Sequence, residues 1–159
     1  MRVLPYYVQR MSECDIKVLP NAVLLSQAAE FLSSGMEVLM PVKGNSMLPF
    51  IRSGKDLVLV RRQWKVEEGD VVLALESTGK YVIHRVIKVG DDDLLTLRGD
   101  GNLIGTEICR QEDVIGTVVE VRKPSGKVLF PRRVKNWQKM PVLLRRVILA
   151  LYKRLFVNE

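Results

Sequence analysis

The sequence predicts a mainly β fold in which one coiled sheet carries a short helix at each end. Between residues 36 and 131, short runs rich in valine, isoleucine and leucine alternate with turn residues, a pattern typical of strands joined by tight connections. Before and after this region, apolar residues recur at helical spacing. The strand-like runs, enough for a barrel or a folded sheet, are MEVLMPV, DLVLV, DVVLAL, YVIHRVIKV, DLLTLR, VIGTVVEVR and KVLF.

The first predicted helix covers residues 21–34. Asn21 is placed to cap its first turn, and Gly35 is the type of residue that ends a helix. Its apolar side chains recur at helical spacing, so we expect an appended element with one face buried. These apolar positions are Val23, Leu24, Ala28, Phe31 and Leu32.

The second predicted helix covers residues 142–156 and follows Pro141. Apolar residues at helical spacing are combined there with four basic side chains, which is the pattern of a basic amphipathic helix. Two interpretations stay open at this point. The apolar stripe either packs on the barrel or lies on a membrane surface.

Length and composition favour a single folded domain. The chain has 159 residues, of which 47% are hydrophobic, and domains commonly have about 100–150 residues. The pattern along the chain predicts three parts. These are an N-terminal leader and helix over residues 1–35, a β domain over 36–131, and a basic helical tail over 132–159.

The positive charge is concentrated in the tail. Residues 1–121 hold 14 basic and 17 acidic side chains, whereas residues 122–159 hold 11 basic and one acidic. Such a block points to an anionic surface. No nucleic-acid motif accompanies Arg132, Arg133, Lys135 and Trp137, so nucleic acid is disfavoured and we expect an anionic membrane surface as the partner of residues 132–156.

The localisation expected from the sequence is cytoplasmic, with peripheral association at a membrane as one use of the tail. No uninterrupted apolar window reaches the ~18 residues that a spanning helix needs. The N-terminal residues also lack a basic segment followed by a long apolar stretch, so no cleavable targeting peptide is predicted.

No metal or other cofactor is expected. The single histidine excludes a His-rich metal site, and the acidic run 91–93 has the setting of a solvated turn. Cys14 and Cys109 are far apart and lack CxxC spacing, so we interpret both as reduced, inert thiols.

The segment GNSMLP, residues 44–49, is the strongest candidate for chemistry. A small hydroxyl residue, Ser46, follows a predicted strand, comes after turn-forming residues and precedes Pro49. A serine hydroxyl is a weak nucleophile at neutral pH and needs a base to take its proton. The segment therefore predicts a nucleophile only if a base lies close by.

His84 is the only histidine that can be that base. It lies within the strand YVIHRVIKV, where alternation places it on one face with Val82 and Val86. One interpretation is a hydrogen-bonded core histidine. The other is a rigid, neutral imidazole that acts as a general base.

Asp100, in the segment RGDGN, is the candidate acidic partner. Because this segment follows a strand, its carboxylate is placed to approach the imidazole and fix its tautomer. Taken alone, a GDGN segment is more often a turn than a site. The order Ser, His, Asp is informative only as a combination.

Together the boxes GNSMLP, HRVI and RGDGN resemble the signal peptidases of the S24/S26 serine peptidase superfamily, over about residues 38–121. The resemblance is to the archaeal and endoplasmic-reticulum type, because the bacterial enzymes and the repressor-type autoproteases have lysine where this chain has His84. It implies a coiled β-sheet barrel, Ser46 as nucleophile, His84 as general base and Asp100 as acidic partner.

The resemblance also implies an oxyanion and substrate-binding site formed around Asn45, Ser46, Met47 and Pro49. It implies a peptide or preprotein substrate that adds to a sheet edge, with small side chains beside the cleaved bond. Two features depart from the family pattern: a membrane anchor is not evident, and further aspartates are replaced by LIGTE at residues 103–107. Glu107 is therefore a substitute candidate for the acidic partner.

Two other functions stay open. A repressor-type autoprotease shares the fold, but it requires a lysine base and an upstream DNA-binding module, and residues 1–35 contain only one good helix. The other is a non-catalytic peptide-binding or scaffold module, because a fold alone does not establish activity.

Overall fold

The computed structural model describes residues 21–156, so the leader 1–20, with Cys14, and residues 157–159 lie outside the described part. The expected mainly β class is confirmed: one curled antiparallel sheet has a helix at each end. The elements are α1 Asn21–Ser33, β1 Val38–Pro41, β2 Leu57–Arg61, β3 Val71–Leu75, β4 Tyr81–Val89, β5 Leu94–Arg98, β6 Glu107–Arg110, β7 Val114–Arg122, β8 Val128–Leu129 and α2 Val142–Phe156.

The sheet runs in the order β1-β2-β7-β3-β4-β5-β6, and every pairing is antiparallel. The long strand β7 pairs with β2 along one edge and with β3 and the short β8 along the other. Strands β1 and β6 lie at the two ends of this path. The sheet curls so far that residues of β1 and β4 line the same cavity.

Strand β6 was not predicted from the sequence. Its four residues carry charged side chains at both ends, so the run lacks the apolar alternation of the other strands. It forms through its ladder with β5, in which Leu95 pairs with Cys109 and Leu97 pairs with Glu107. Tertiary pairing, rather than local propensity, makes this segment a strand.

Helix α1 ends as the sequence predicts, at Gly35. This glycine has a φ of +83°, and the Gly35 and Met36 N–H groups bond to the carbonyls of Leu32 and Phe31, which is a Schellman motif. Leu25, Ala28 and Leu32 then pack with strand residues in the main core. The expected appended helix is therefore an integral part of that core.

Two apolar clusters lie on opposite faces of the sheet. In β3, Val71 and Leu73 belong to the main core beneath α1, while Val72 and Ala74 belong to the second cluster with residues of β4 and β5. This is the alternation expected of a strand that is buried on both faces.

The chain after β8 packs against the end of β5 and the loop after β1. A run of 3-10 turns, Pro131–Lys139, leads into α2. Trp137 and Leu149 form a third apolar cluster with Leu48, and the Trp137 ring meets Phe50 edge-on at a centroid distance of 5.4 Å. Within residues 21–156, no helix has the length and apolar character needed to span a bilayer.

The loop between β1 and β2, which contains Ser46, is fastened by one buried carboxylate. Asp56 Oδ2 accepts hydrogen bonds from the Arg52 backbone N–H at 2.8 Å and from Lys123 Nζ at 2.6 Å. Its other oxygen pairs with Arg52 Nη2 at 2.9 Å, and Lys123 also bonds to the Phe50 carbonyl. Asp56 thus joins the end of this loop to the β7–β8 turn.

Replacing Asp56 with asparagine tests this fastening through its pH dependence. Burial by itself raises the pKa of Asp56, but the hydrogen bonds from Arg52 and Lys123 outweigh burial, and the pKa lies below its usual value. The carboxylate therefore stabilises the fold above about pH 4, the unfolded-state pKa of aspartate, and that stability is lost as the pH falls through the lower folded-state pKa. Urea unfolding of wild type and Asp56→Asn should show a gap of about 1–3 kcal/mol near pH 7 that narrows below about pH 4. A gap that stays constant down to pH 2.5 would contradict this.

Leu32 tests the contribution of α1 to the core. Its side chain is fully buried, so Leu32→Ala should lower the free energy of unfolding by about 2–5 kcal/mol. Val23 lies on the same helix but is 40% exposed. Val23→Ala is therefore the matched control, with an expected change within about 0.5 kcal/mol; equal effects of the two variants in denaturant titrations would mean that α1 is not a core element.

Candidate active site

Ser46 lies in a turn just after β1, at the boundary between solvent and core. Its neighbour Asn45 is exposed, Ser46 is half-buried, and Met47 and Leu48 are buried. The turn begins at Gly44, whose φ of +102° favours glycine and whose N–H bonds to Ser53 Oγ at 3.0 Å. The Leu48–Pro49 peptide bond is cis. The buried pair Met47 and Leu48 fixes the turn so that Ser46 stays accessible.

His84 is held by a carboxylate on β6, the strand at one end of the sheet. Its side chain is on β4 and 6% exposed, and Nδ1 lies 2.9 Å from Glu107 Oε2 on β6. An ionised carboxylate only accepts hydrogen bonds, so Nδ1 carries the proton in this pair. A neutral imidazole in that tautomer has its lone pair on Nε2, the arrangement that a general base requires.

The structure brings Ser46 to the strand that carries His84. Arg85 of β4 pairs with Arg98, the last residue of β5, and Gly99 follows directly. A Cβ built at Gly99 would lie 3.0 Å from Ser46 Cβ. Ser46 therefore lies against the residue that follows the ladder partner of Arg85, the neighbour of His84.

Gly101 is the second glycine that the serine turn contacts. Its N–H donates a hydrogen bond to the Ser46 carbonyl at 2.7 Å. A Cβ here would lie 2.8 Å from the Asn45 carbonyl oxygen, closer than real side chains approach. The two glycines of the RGDGN segment are thus required for the close contact between backbone segments that positions Ser46.

Asp100 does not contact His84, which differs from the expectation. It lies between the two glycines and is directed to the opposite face, where both carboxylate oxygens pair with Arg85 at 2.7 and 2.8 Å. Both side chains of this pair are almost fully buried. The carboxylate on the imidazole is Glu107, the substitute named from the sequence, and Asp100 has a structural position behind the site.

The 3-10 segment closes over this buried pair. Trp137 Nε1 donates to the Asp100 carbonyl at 2.7 Å, and Gln138 Nε2 donates to an Asp100 carboxylate oxygen at 3.1 Å. Arg145 of α2 in turn donates to Gln138 Oε1 at 2.7 Å. Nothing in the sequence signalled the contacts of Trp137 and Gln138 with Asp100, because they join residues 37 and 38 positions apart through a segment without regular periodicity.

The oxyanion site expected around Asn45, Ser46, Met47 and Pro49 would be formed by backbone N–H groups of the serine turn. Among residues 21–156, the N–H groups of Ser46 and Met47 donate to no other group, whereas the Leu48 N–H bonds to the Asn45 carbonyl at 3.3 Å. Pro49 has no N–H and lies half-buried at the far side of the turn. Two N–H donors in the turn therefore have no hydrogen-bond partner among residues 21–156.

A small cavity of about 60 Å³ opens beside Ser46. That volume is far below the ~300 Å³ and upward of typical small-molecule sites. Its lining comes from α1, β1, β3, β4 and the loop that holds Ser46, and it includes the apolar residues Leu25, Met40, Leu73 and Ile83, although polar atoms form the larger part of its exposed surface. A cavity of this size has room only for a small side chain.

Cys109 does not compete with Ser46 as a nucleophile. Burial, assisted by the nearby Asp113, raises the pKa of its thiol to about 11, so the reactive thiolate is scarce at neutral pH. This agrees with the inert thiol expected from the sequence. Lys80 and Lys88, the lysines nearest His84 in sequence, are both exposed.

Comparison with known proteins identifies the family of this chain. A family model described as Peptidase S24-like matches residues 20–119, well over half of the chain. No curated protein matches the chain. The matched stretch contains α1, the serine turn, the His84 strand, the two glycines and Glu107. On this match, the chain belongs to the Peptidase S24-like family.

Proposed function

We propose that the protein is a serine endopeptidase of signal-peptidase type, with Ser46 as nucleophile, His84 as general base and Glu107 as the carboxylate that orients the base. The observation that carries the proposal is the 2.9 Å bond from His84 Nδ1 to Glu107. This bond leaves the Nε2 lone pair for a proton, and Ile83, the neighbour of His84, lines the same cavity as Ser46. Membership of the family supports a serine peptidase but does not by itself assign these residues.

The proposed reaction follows the usual course of acyl transfer. His84 Nε2 takes the Ser46 hydroxyl proton as Oγ attacks the scissile carbonyl, and the oxyanion accepts hydrogen bonds from the N–H groups of Ser46 and Met47. The imidazolium then gives its proton to the leaving amine, which releases the C-terminal product. Water, deprotonated by His84, attacks the acyl-enzyme, and proton return restores Ser46.

The substrate in this proposal is an extended peptide with a small residue at the cleaved bond. Strand β1 leads into the serine turn and lies at one end of the strand order, so its outer edge is placed to pair with a peptide backbone. The cavity of about 60 Å³ beside Ser46 would take the side chain that precedes the scissile bond. A preprotein whose cleavage site is extended and small fits this description.

Substitution of either dyad residue tests the proposal directly. Ser46→Ala and His84→Ala should each lower peptide cleavage by at least about 10³-fold, because neither residue of such a unit works without the other. The measurement is mass spectrometry of a degenerate peptide library with alanine or glycine at its centre. Labelling of wild type by a fluorophosphonate at Ser46 gives a second readout that needs no substrate sequence.

Ser125→Ala is the control, since Ser125 is exposed in the β7–β8 turn, away from the serine turn. It should keep activity and labelling. Identical product patterns from wild type and Ser46→Ala would contradict the proposal. Cleavage confined to the protein's own chain, lost in Ser46→Ala, would identify the alternative repressor-type autoprotease instead.

The two carboxylates should separate rate from stability. Glu107→Gln should lower kcat by at least about tenfold with little change in KM, because the amide no longer fixes the imidazole tautomer. The Glu107 side chain is 28% exposed and makes no other ion pair within the described residues. The free energy of unfolding should therefore change by no more than about 0.5 kcal/mol. Asp100→Asn should instead cost about 3–5 kcal/mol, because it leaves the buried Arg85 uncompensated. Steady-state kinetics and urea unfolding check both, and a reversed pattern would return Asp100 to the catalytic role.

A further inference from the structure

Helix α2 exposes apolar side chains and buries an arginine. Its two buried residues are Arg145 and Leu149, and Ile148 and Tyr152 pack partly beside them in the third apolar cluster. These four residues follow helical spacing and form the face that contacts the rest of the protein. Arg145 Nη1 donates a hydrogen bond to Gln138 Oε1, so part of this contact face is polar.

Beside the packed face, α2 carries an apolar stripe that nothing in residues 21–156 covers. Leu144, Val147, Leu151 and Leu155 follow one another at intervals of three or four residues, so they align along one side of the helix. They are 46%, 49%, 55% and 64% exposed. A helix that packs a soluble core normally shows polar residues on this outer side.

The charge around this stripe has one sign. Arg154 lies next to the stripe, and Arg146 and Lys153 lie farther round the helix, on the side away from the stripe; all three are exposed. Helix α2 contains no acidic residue, and residues 122–156 contain 11 basic residues and none acidic. A long basic side chain beside the stripe can keep its charge at an anionic interface while the apolar stripe enters it.

We propose that α2 docks flat on an anionic membrane surface through Leu144, Val147, Leu151 and Leu155, with Arg154 contacting lipid headgroups and with Arg146 and Lys153 adding to the electrostatic attraction. A second copy of this chain is a poorer occupant of the stripe, because it would bring the same cations against these. A helix of 15 residues is about 22 Å long, suited to lying in the interface. This inference is independent of the proposed peptidase activity, and α2 lies beyond the residues that the family model matches.

The contacts of α2 with the body of the protein determine how it must be tested. Deleting the tail would remove Trp137, Gln138 and Arg145, all of which lie on the network around Asp100. Exposed residues of α2 are therefore substituted in the full-length chain. The apolar variant is Leu144→Gln with Leu151→Gln, and the charge variant is Arg146→Gln, Lys153→Gln and Arg154→Gln.

Matched controls exist elsewhere on the surface. Leu57 and Leu94 are exposed leucines on strands, at 38% and 39%, and Leu57→Gln with Leu94→Gln matches the apolar variant. Lys65, Lys80 and Lys88 are exposed lysines outside the basic block 122–156, and their glutamine triple variant matches the loss of charge. Urea unfolding of all four variants establishes that each one folds.

The measurement is sedimentation with vesicles of phosphatidylcholine that contain about 30% phosphatidylglycerol, at low and at high salt. Wild type and both controls should bind, and binding should weaken as salt is raised. The charge variant should bind about 10²-fold more weakly, and the apolar variant about tenfold or more. Absence of wild-type binding, or equal binding by α2 variants and controls, would overturn the proposal. So would a lipid-free dimer, seen by analytical ultracentrifugation, that the apolar variant abolishes.

Discussion

The site depends on one close contact between two backbone segments, the serine turn and the segment Gly99–Gly101. Only residues without a Cβ allow this approach, since a side chain at either glycine would collide with the carbonyls of Asn45 or Ser46. The hydrogen bond from the Gly101 N–H to the Ser46 carbonyl then fixes the spacing at 2.7 Å. Because Gly99 directly follows Arg98, the ladder partner of Arg85, the same contact brings the serine turn to the part of the sheet that carries His84.

The buried ion pair behind this contact explains why an aspartate stands between the glycines. Asp100 and Gly101 are the central residues of a turn that the Asn102 N–H closes on the Gly99 carbonyl at 3.0 Å, and the Asp100 carboxylate points toward Arg85. A buried pair of this kind does not necessarily add net stability, but removing one partner leaves a costly uncompensated charge. The pair therefore holds the segment in one register, and Trp137 and Gln138 close it off from solvent by bonding to the same aspartate.

Local patterns in the sequence were sufficient for the class of fold, the end of α1 at Gly35 and most strands. They failed at β6, because a four-residue strand with charged ends forms only through its partner β5. That failure carried into the site: without β6, Glu107 had no predicted place beside His84, and Asp100 was favoured by its order in the chain. The face to which Asp100 points depends on register, which the spacing of motifs does not determine.

Helix α2 shows why amphipathic patterning did not determine the direction in which the helix faces. Its sequence predicts an apolar stripe with basic flanks, and two orientations of that stripe fit the pattern equally well. The structure turns the stripe outward because Arg145 is drawn inward to Gln138, within a network that reaches Asp100. Burial and the neighbouring Arg98 lower the pKa of Arg145, while Asp100 opposes them. The same polar network that supports the serine turn therefore fixes the orientation in which α2 presents its apolar side chains to its surroundings.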